Sequence, residues 1–435
     1  MSSKSCVKLL LILFIGSLFT QIWAQQRSIS LSPQPSDVRL LSSSDEGFNV
    51  HYNVGELKID TQATRGGEFD LISIDGFGFS NRIGEPMLPV ATRIVSVPLN
   101  ATPTFQILTR RDANLTRSDA RLNRKIMPAQ ESVSKSADIN LIPFEIKEKA
   151  YSTNAFSNNE LFTIEEIGIL RGVRLFMISF EPLRYNPVEE SLQLCLEAEI
   201  KVTFEGADLT STNELLAKTA SAEFEQLYAK TIFNWNPSRS SLVSYPTKML
   251  ILCPPAYETT MAPFIEWKRK EGFVVNLVTV GSSATVANSS TAIKNYMQGL
   301  WNAASSQDPA PTYLIIVGDH STSGNNITSN TGDTDSHITD LSYVRLNGTD
   351  YLPEMYHGRF SVSSTTELQN VINKSLMFAR TSMPDLSYLS KTVLIAGVDA
   401  SYAPTHGNGA INYATTHYFN AEHGITSNNY FYPAS

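Results

Sequence analysis

The 435-residue sequence predicts two folded parts in tandem: a β-rich antiparallel part, then an α/β part whose parallel sheet is covered by helices on both faces. Two observations lead to this fold class. Residues 192–204 alternate between apolar and mostly polar side chains, which is typical of an antiparallel strand with one buried face. From Lys248 onward, short apolar runs alternate with helical patterns, which is typical of parallel sheets. We therefore place the β-rich part at residues 25–235 and the α/β part at residues 245–435.

The β-rich part contains one strand that its pattern defines well. Every even position from Leu192 to Phe204 is apolar, so this face is expected to be buried. An apolar run, Arg174–Phe180, precedes it, and a turn at Tyr185-Asn186-Pro187 lies between the two. We predict that these two strands pair as a hairpin. A helix over Asn213–Lys230 is expected to form the joint to the second part.

The α/β part is a series of strand and helix units. Ser364 opens one helix with Glu367 three residues later, which is the capping-box arrangement. Repeated units of this kind give a parallel sheet with a helix on each crossover. The predicted strands are residues 249–252, 273–280, 313–317, 393–396 and 429–432, and the predicted helices are residues 260–271, 290–304, 364–380 and 410–422.

Acidic side chains follow two of these strands. Asp319 comes after the strand at residues 313–317, and Asp399 after the strand at residues 393–396. In open α/β sheets the carboxyl ends of the strands form the edge where ligands bind. A loop with Asp350 and Glu354 lies between these strands in sequence. The sequence therefore predicts a metal site, a catalytic site, or both at this edge.

Calcium prefers six to eight oxygen ligands from carboxylates and main-chain carbonyls. The spacing of Asp350 and Glu354, with a carbonyl such as that of Leu352 between them, can wrap one ion. The spacing alone favours an acidic loop exposed to solvent over a metal site.

Charge and the first residues bear on location and partners. The formal net charge is −8 and no basic stripe occurs, so nucleic acid is not an expected partner. Residues 1–24 have a basic start, a short apolar centre and a small residue for cleavage at Ala24, which is typical of a secretory signal peptide. No later segment is apolar enough to be a transmembrane span. Only Cys195 and Cys253 lie beyond the signal peptide, so a disulfide framework is not expected.

Several ordered motifs resemble those of the gingipain-type cysteine peptidases. In the β-rich part, Gly84–Pro89 and Arg184–Pro187 resemble the inhibitory propeptide of that family. The motifs of the α/β part are Thr312–His320, Thr339–Leu341, Asp350–Tyr356, Gly358–Phe360, Tyr388–Asp399 and Tyr418–Gly424. Together they cover nearly the whole chain after the signal peptide.

The resemblance implies a secreted zymogen with a caspase-like catalytic domain, located outside the cell or on its outer surface. A thiolate would attack the peptide bonds of protein substrates, with histidine as acid and base. The propeptide would act as an intramolecular inhibitor. Asp399 matches the acid that orients the catalytic histidine. The family's histidine and cysteine would fall beyond Ser435, so the 435-residue chain itself is expected to be inactive.

The resemblance also implies a calcium site. Its positions match Asp319, Asp350, Leu352 and Glu354. Gly348 stands where a further carboxylate is expected, which would reduce the affinity for the ion.

Other residues with catalytic side chains are interpreted as structural. His406 and His423 each precede a glycine, but we interpret the first as a loop residue and the second as the end of a helix. His320 is a candidate supporting group for Asp319. Cys195 and Cys253 are interpreted as small buried side chains.

The sequence defines the activation cleavage site and the substrate specificity less clearly. Lys230, Arg239 and the pair Arg110-Arg111 are candidate cleavage points. Arginine-specific members of the family place an acid near the helix after the Asp399 strand, whereas residues 400–421 contain no Asp or Glu. Arginine selectivity through that position is therefore not expected.

Three alternatives remain open. The chain could belong to a non-catalytic relative that acts in secretion or surface attachment. It could also be a calcium-stabilised binding module, since fold alone does not fix function. For Asp399 in particular, the alternative is a capping role at the start of a helix.

Overall fold

A computed structural model describes residues 27–133, 141–236, 246–320, 324–333 and 337–434. The predicted signal peptide and Arg239 lie outside these residues. The first part contains strands β1 to β12 and the short helix α1 (Glu148–Ser152). The strands are β1 (Arg27–Ser30), β2 (Asp37–Ser44), β3 (Gly47–Asn53), β4 (Glu56–Thr64), β5 (Gly67–Ser73), β6 (Gly78–Phe79), β7 (Pro89–Ser96), β8 (Thr102–Leu115), β9 (Phe162–Leu170), β10 (Val173–Phe180), β11 (Leu183–Asn186) and β12 (Ser191–Glu205).

Three antiparallel sheets form this first part, as predicted. Their strand orders are β1-β4-β5, β6-β7-β10-β9 and β11-β12-β3-β2, with β8 also paired to β12. The alternation predicted for β12 is confirmed, because Leu194, Ala198, Ile200 and Val202 are fully buried in the core shared by these sheets.

The predicted hairpin between Arg174–Phe180 and Leu192–Phe204 is wrong. Strand β10 pairs with β9 and β7, whereas β12 pairs with β11. The chain leaves the sheet of β10 at Glu181 and Pro182, and Leu183 begins β11 in the sheet of β12. Tyr185 and Asn186 belong to β11, and the turn over residues 187–190 closes a hairpin of β11 with β12.

Two short helices connect the two parts, where a single helix over Asn213–Lys230 was predicted. Helix α2 (Leu209–Lys218) ends near Thr219, and helix α3 (Ala222–Thr231) begins after Ser221. The Ser221 hydroxyl accepts a hydrogen bond from the N–H of Phe224, which is a typical N-cap and begins a second helix.

The second part contains the predicted parallel sheet. Strands β13 (Lys248–Cys253), β14 (Val274–Thr279), β15 (Tyr313–Val317) and β18 (Tyr356–Phe360) form it in the order β14-β13-β15-β18. The other elements up to residue 380 are α4 (Glu258–Lys270), α5 (Ser290–Ala303), β16 (Asn330–Thr331), β17 (Ile338–Thr339), α6 (Leu341–Val344) and α7 (Thr365–Ala379). Strand β18 was not predicted, because Gly358 and Arg359 interrupt its apolar pattern.

Helices cover both faces of this sheet, as predicted. On one face, Ile293 and Trp301 of α5 pack on the sheet. On the other face, Phe264 of α4 and Ile372 of α7 do so. The predicted cap of α7 is present, since the Ser364 hydroxyl accepts from the N–H of Glu367.

Strands β19 (Lys391–Ile395) and β20 (Thr426–Tyr430) lie apart from the four-stranded sheet. Within the described part of the chain they pair only with each other, in parallel, and α8 (Asn408–His417) lies between them in sequence. Many of their apolar side chains are exposed; Ile395, for example, is 63% exposed. Among the residues that the structure describes, no helix combines the length and apolar character of a membrane span.

Candidate functional site

The carboxyl edge of the four-stranded sheet is organised around Asp319. Gly318 and Asp319 continue from β15, and their N–H groups donate to the carbonyls of Phe360 and Val362 beside β18. The Asp319 carboxylate accepts from the main-chain N–H of His320 (2.8 Å) and from the Ser361 hydroxyl (3.0 Å), and these bonds together with the His320 ring lower the pKa of Asp319. Asp319 is therefore an ionised and partly exposed carboxylate at the end of a central strand.

An ion pair beneath this edge holds its loops together. The Arg359 guanidinium donates to both Asp340 oxygens at 2.9 and 2.7 Å, and to the carbonyls of Gly318 and Ile327 at 2.8 and 2.9 Å. Burial opposes ionisation of Asp340, but the Arg359 bonds outweigh it and hold the pKa of Asp340 below its usual value. Both residues occur in motifs quoted above, yet nothing in the sequence indicated that they meet.

The opposite, amino edge of the sheet carries the acidic loop. Glu354 is fully buried, its Oε2 accepts from the N–H of Leu346 at 2.6 Å, and its Oε1 has no hydrogen-bond partner among the described residues. Burial raises the pKa of Glu354 to about 7, and the nearby Asp350 charge contributes in the same direction. Asp350 accepts from the N–H groups of Leu352 (2.8 Å) and Ile169 (2.9 Å).

The structure does not bring the four predicted calcium ligands together. In the parallel pairing of β15 with β18, Tyr313 lies opposite Tyr356, so Glu354 precedes the strands and Asp319 follows them. With five residues in each strand, at about 3.3 Å per residue, the two edges are roughly 17 Å apart. Among the described residues, no group of three or more His, Cys, Asp or Glu side chains is arranged to hold a metal ion. The predicted site reduces to Asp350, Leu352 and Glu354.

Asp399 follows β19, as predicted, but it does not lie on the four-stranded sheet with Asp319. Its Oδ1 accepts from the N–H groups of Ser401 (2.8 Å) and Tyr402 (3.2 Å). These bonds close a turn over residues 399–402, ahead of the helical turn Ala403–Gly407, whose N-cap residue is Tyr402. They are compatible with a capping role, and the catalytic role of Asp399 remains a prediction.

The two described thiols have the surroundings of structural cysteines. Cys253 is fully buried at the end of β13, and burial raises its pKa to about 12. Cys195 is 1% exposed, and burial raises its pKa to about 11. A nucleophilic thiol needs its pKa lowered instead, so neither cysteine has the environment of a catalytic nucleophile.

The three candidate histidines also have local partners. His320 contacts Asp319 (Nδ1 to Oδ1, 3.0 Å), and His423 contacts Asn420 (Nδ1 to Oδ1, 2.9 Å). Gly424, with φ +69°, ends the short turn Ala421–His423, but α8 already ends at His417, so His423 does not end the helix predicted over residues 410–422. His406 lies in a helical turn beside Tyr402 and not in an irregular loop.

One contact between the two parts had no signal in the sequence. The turn between β9 and β10 carries Arg171, whose side chain enters the second part and is 1% exposed. It reaches the carbonyls of Pro311 and Glu354, at the amino edge of the sheet. An arginine next to a glycine in a hairpin turn is ordinary, so only the tertiary structure reveals this contact.

Comparison with known proteins identifies both parts. Residues 243–433 match peptidase family C25, and residues 27–233 match the propeptide of that family. Lys-gingipain HG66 of Porphyromonas gingivalis is 33% identical over 432 residues, which is 98% of this chain and 24% of that protein. Gingipain R1 of the same species is 25% identical over 395 residues, or 90% of this chain and 38% of that protein.

Solved structures of gingipains also match. A structure described as zymogenic latency of gingipain K from Porphyromonas gingivalis is 29% identical, with a TM-score of 0.40, and the match covers 42% of this chain and all of the other. A complex of Porphyromonas gingivalis RgpB pro- and mature domains is 22% identical, with a TM-score of 0.38, and the match covers 47% of this chain and all of the other. The chain spans about a quarter of the length of the Lys-gingipain relatives.

Proposed function

Since the chain belongs to the gingipain-type cysteine peptidases of family C25 and includes the family's propeptide, we propose that it forms part of a cysteine endopeptidase zymogen. The observation that carries the proposal is the tandem family match, in which the propeptide directly precedes the peptidase part. The substrates would be proteins and peptides.

The proposed reaction is hydrolysis of a peptide bond in two steps. A cysteine thiolate attacks the carbonyl carbon, and a histidine that has taken the thiol proton gives it to the leaving amine. Water then cleaves the resulting thioester, returning the thiol and releasing the acid. We propose a nucleophile other than Cys195 and Cys253, because burial raises the pKa of both thiols.

Asp399 is proposed to orient the catalytic histidine. A carboxylate in this role accepts the imidazole N–H, fixes its tautomer and stabilises the imidazolium. Support comes from its place after a strand of the peptidase part and from the motif that contains it. Replacement by asparagine would keep the capping geometry and remove the charge, so activity would fall while the fold persisted.

Calcium is proposed as a stabilising ion on the amino edge. The Asp350 and Glu354 carboxylates and the Leu352 carbonyl would hold it, and the buried Glu354 Oε1 without a partner supports this assignment. The ion would supply positive charge against two neighbouring carboxylates. Without Asp319 the donor set falls short of six to eight oxygens unless water completes it, so weak binding is expected.

The test of the peptidase proposal uses the complete native gene product after limited proteolysis to remove its propeptide. It is incubated with peptides that present lysine, arginine or a neutral residue before the cleaved bond, and then with a peptidyl acyloxymethyl ketone that alkylates catalytic thiols. We expect hydrolysis and a single labelled cysteine that is neither Cys195 nor Cys253. A Cys253→Ala variant serves as the control and should retain activity.

Other outcomes would favour the alternatives. A folded product with no hydrolysis and no labelled cysteine would favour a non-catalytic relative in secretion or surface attachment. A product of that kind that also gains stability from calcium would favour a calcium-stabilised binding module. Labelling of Cys253 would contradict the structural role assigned to that thiol.

The protein is proposed to be exported and to act outside the cell or on its outer surface. Residues 1–24, which have the pattern of a signal peptide, support this. Cell fractionation with antibody detection would test it, and an exclusively cytoplasmic product would contradict it.

A further inference from the structure

The β9–β10 hairpin joins the propeptide to the peptidase part through its turn. Arg171 lies at this turn with φ +44°, an uncommon conformation for a residue with a side chain. Its side chain passes out of the propeptide sheet and is buried at the amino edge of the peptidase sheet. The turn therefore places one long cationic side chain across the boundary between the two parts.

The guanidinium of Arg171 is held by main-chain carbonyls on three sides. Its Nε donates to the carbonyl of Thr219 at 2.8 Å. Its two terminal nitrogens donate to the carbonyls of Ala310 and Pro311 at 2.8 Å and of Glu354 at 2.6 Å. A longer contact of 3.3 Å reaches the Thr312 hydroxyl. We call these five acceptors the carbonyl socket.

The carbonyl socket matches a guanidinium better than an ammonium. A guanidinium presents five N–H donors in a rigid plane, whereas a lysine ammonium presents three donors on one atom. The Phe224 ring adds a flat surface, with the Arg171 Cζ 4.9 Å from the ring centroid. Burial lowers the pKa of Arg171 to about 10, so the group is still charged near neutral pH.

Neighbouring contacts fix the hairpin on the same edge. The Ile169 N–H donates to Asp350 at 2.9 Å. Gly168, with φ +148°, lies so close to Asp350 that an added Cβ would be 2.6 Å from its carboxyl group. The Tyr228 hydroxyl donates to the Leu170 carbonyl at 3.2 Å. The Ile169 and Gly168 contacts with Asp350 act together with Arg171, because both require the turn to be seated against the peptidase part, whereas the Tyr228 bond holds the turn within the propeptide.

We propose that Arg171, seated in the carbonyl socket, anchors the propeptide to the amino edge of the peptidase sheet and retains it there after the connecting segment has been cut. The proposal rests on the assignment of the chain as a zymogen. It extends that assignment, because this edge is opposite the carboxyl edge where Asp319 lies. One surface of the propeptide would then retain it on the peptidase part, and a different surface would block the active site.

The test uses the folded 435-residue chain with the recognition sequence of a specific protease inserted between Arg239 and Ser240. After cleavage, gel filtration shows whether the two parts stay together, and surface-immobilised propeptide gives the dissociation rate. We expect the wild-type parts to co-elute. The Arg171→Lys and Arg171→Ala variants should dissociate at least ~100-fold faster, since each leaves buried carbonyls without donors.

A matched control lies three residues away. Arg174 donates to Glu166 and to the Ala101 carbonyl, both within the propeptide. Arg174→Lys therefore makes the same chemical change without touching the boundary, and its dissociation rate should stay within about threefold of the wild type. Thermal unfolding of each uncut variant shows whether the propeptide itself is still folded.

Two further measurements make the result specific. Thr312→Val removes one weak acceptor of the guanidinium and the 3.2 Å hydrogen bond that the Thr312 hydroxyl donates to Ser221 of the propeptide, and should accelerate dissociation only a few-fold. Ethylguanidinium should restore co-elution of the Arg171→Ala parts, whereas ethylammonium should not. Wild-type parts that separate at once, or Arg171 variants that dissociate as slowly as Arg174→Lys, would overturn the proposal. Retention is measured without substrate, so an inactive enzyme would not affect this result.

Discussion

Replacement of Glu354 by glutamine should remove a pH-dependent loss of stability. Glu354 is fully buried, with one carboxylate oxygen hydrogen-bonded to Leu346 and the other without a described partner. Burial raises its pKa from 4.5 to about 7 in the folded protein. Because the folded pKa lies above the unfolded one, the protonated carboxyl favours folding at acid pH, and this advantage is lost as the pH rises through 7.

The magnitude follows from the two pKa values. A difference of about 2.5 between the folded and unfolded pKa corresponds to about 3 kcal/mol in total, at about 1.4 kcal/mol for each pH unit. About 2 kcal/mol of this loss falls between pH 5.5 and pH 8, where the unfolded carboxyl is already ionised and the folded one becomes so. Glutamine has no titrating group, so the Glu354→Gln variant should not show this component.

The assay is urea unfolding of the wild type and the variant at half-unit steps from pH 5.5 to pH 8, followed by tryptophan fluorescence in the presence of chelator. The difference between the two unfolding free energies should change by about 2 kcal/mol across the range, in favour of the variant at high pH. A difference that stays constant with pH would refute the reasoning, because it would mean that Glu354 titrates alike in the folded and unfolded chains.

Three other outcomes are expected. Excess calcium should raise the melting temperature relative to excess chelator, by ligand binding to the folded state alone, and identical melting curves would contradict the calcium proposal. Arg359→Lys should destabilise the peptidase part by about 2 kcal/mol, since lysine keeps the charge but cannot bond both oxygens of the half-buried Asp340 and the carbonyls of Gly318 and Ile327 at once. Arg39→Lys, at an exposed pair with Asp37, should cost under about 1 kcal/mol, and similar melting temperatures of the two variants would count against this difference. Cys253 should resist iodoacetamide at pH 7.5 in the folded chain and react after unfolding, as mass spectrometry would show, because its thiol is buried and its pKa is about 12; rapid native labelling would be inconsistent with this.

Local patterns in the sequence predicted individual elements well. Strand β15 spans the predicted residues 313–317, and the cap of α7 forms at Ser364 as the capping box indicates. These features depend on near neighbours in sequence, since alternation and capping are decided within a few residues.

Pairing and placement required information that the sequence pattern does not hold. Strand β10 was assigned to the wrong partner, because its pairing with β7 joins residues about 80 positions apart. The family resemblance places Asp319 and Glu354 in one site, but Glu354 precedes the unpredicted strand β18 and Asp319 follows its partner β15, so the two residues lie at opposite edges of the sheet. Arg171 escaped notice because its partners are carbonyls, which every residue possesses.

Recognition of Arg171 by the main chain affects how this contact can evolve. Four of the five acceptors around Arg171 belong to the main chain, so substitutions that preserve the backbone cannot delete them. Side chains around the socket can drift while recognition of the guanidinium persists. Covariation between homologues would then record little of this contact. What is conserved opposite Arg171 would be the conformation of the main chain and not a particular side chain.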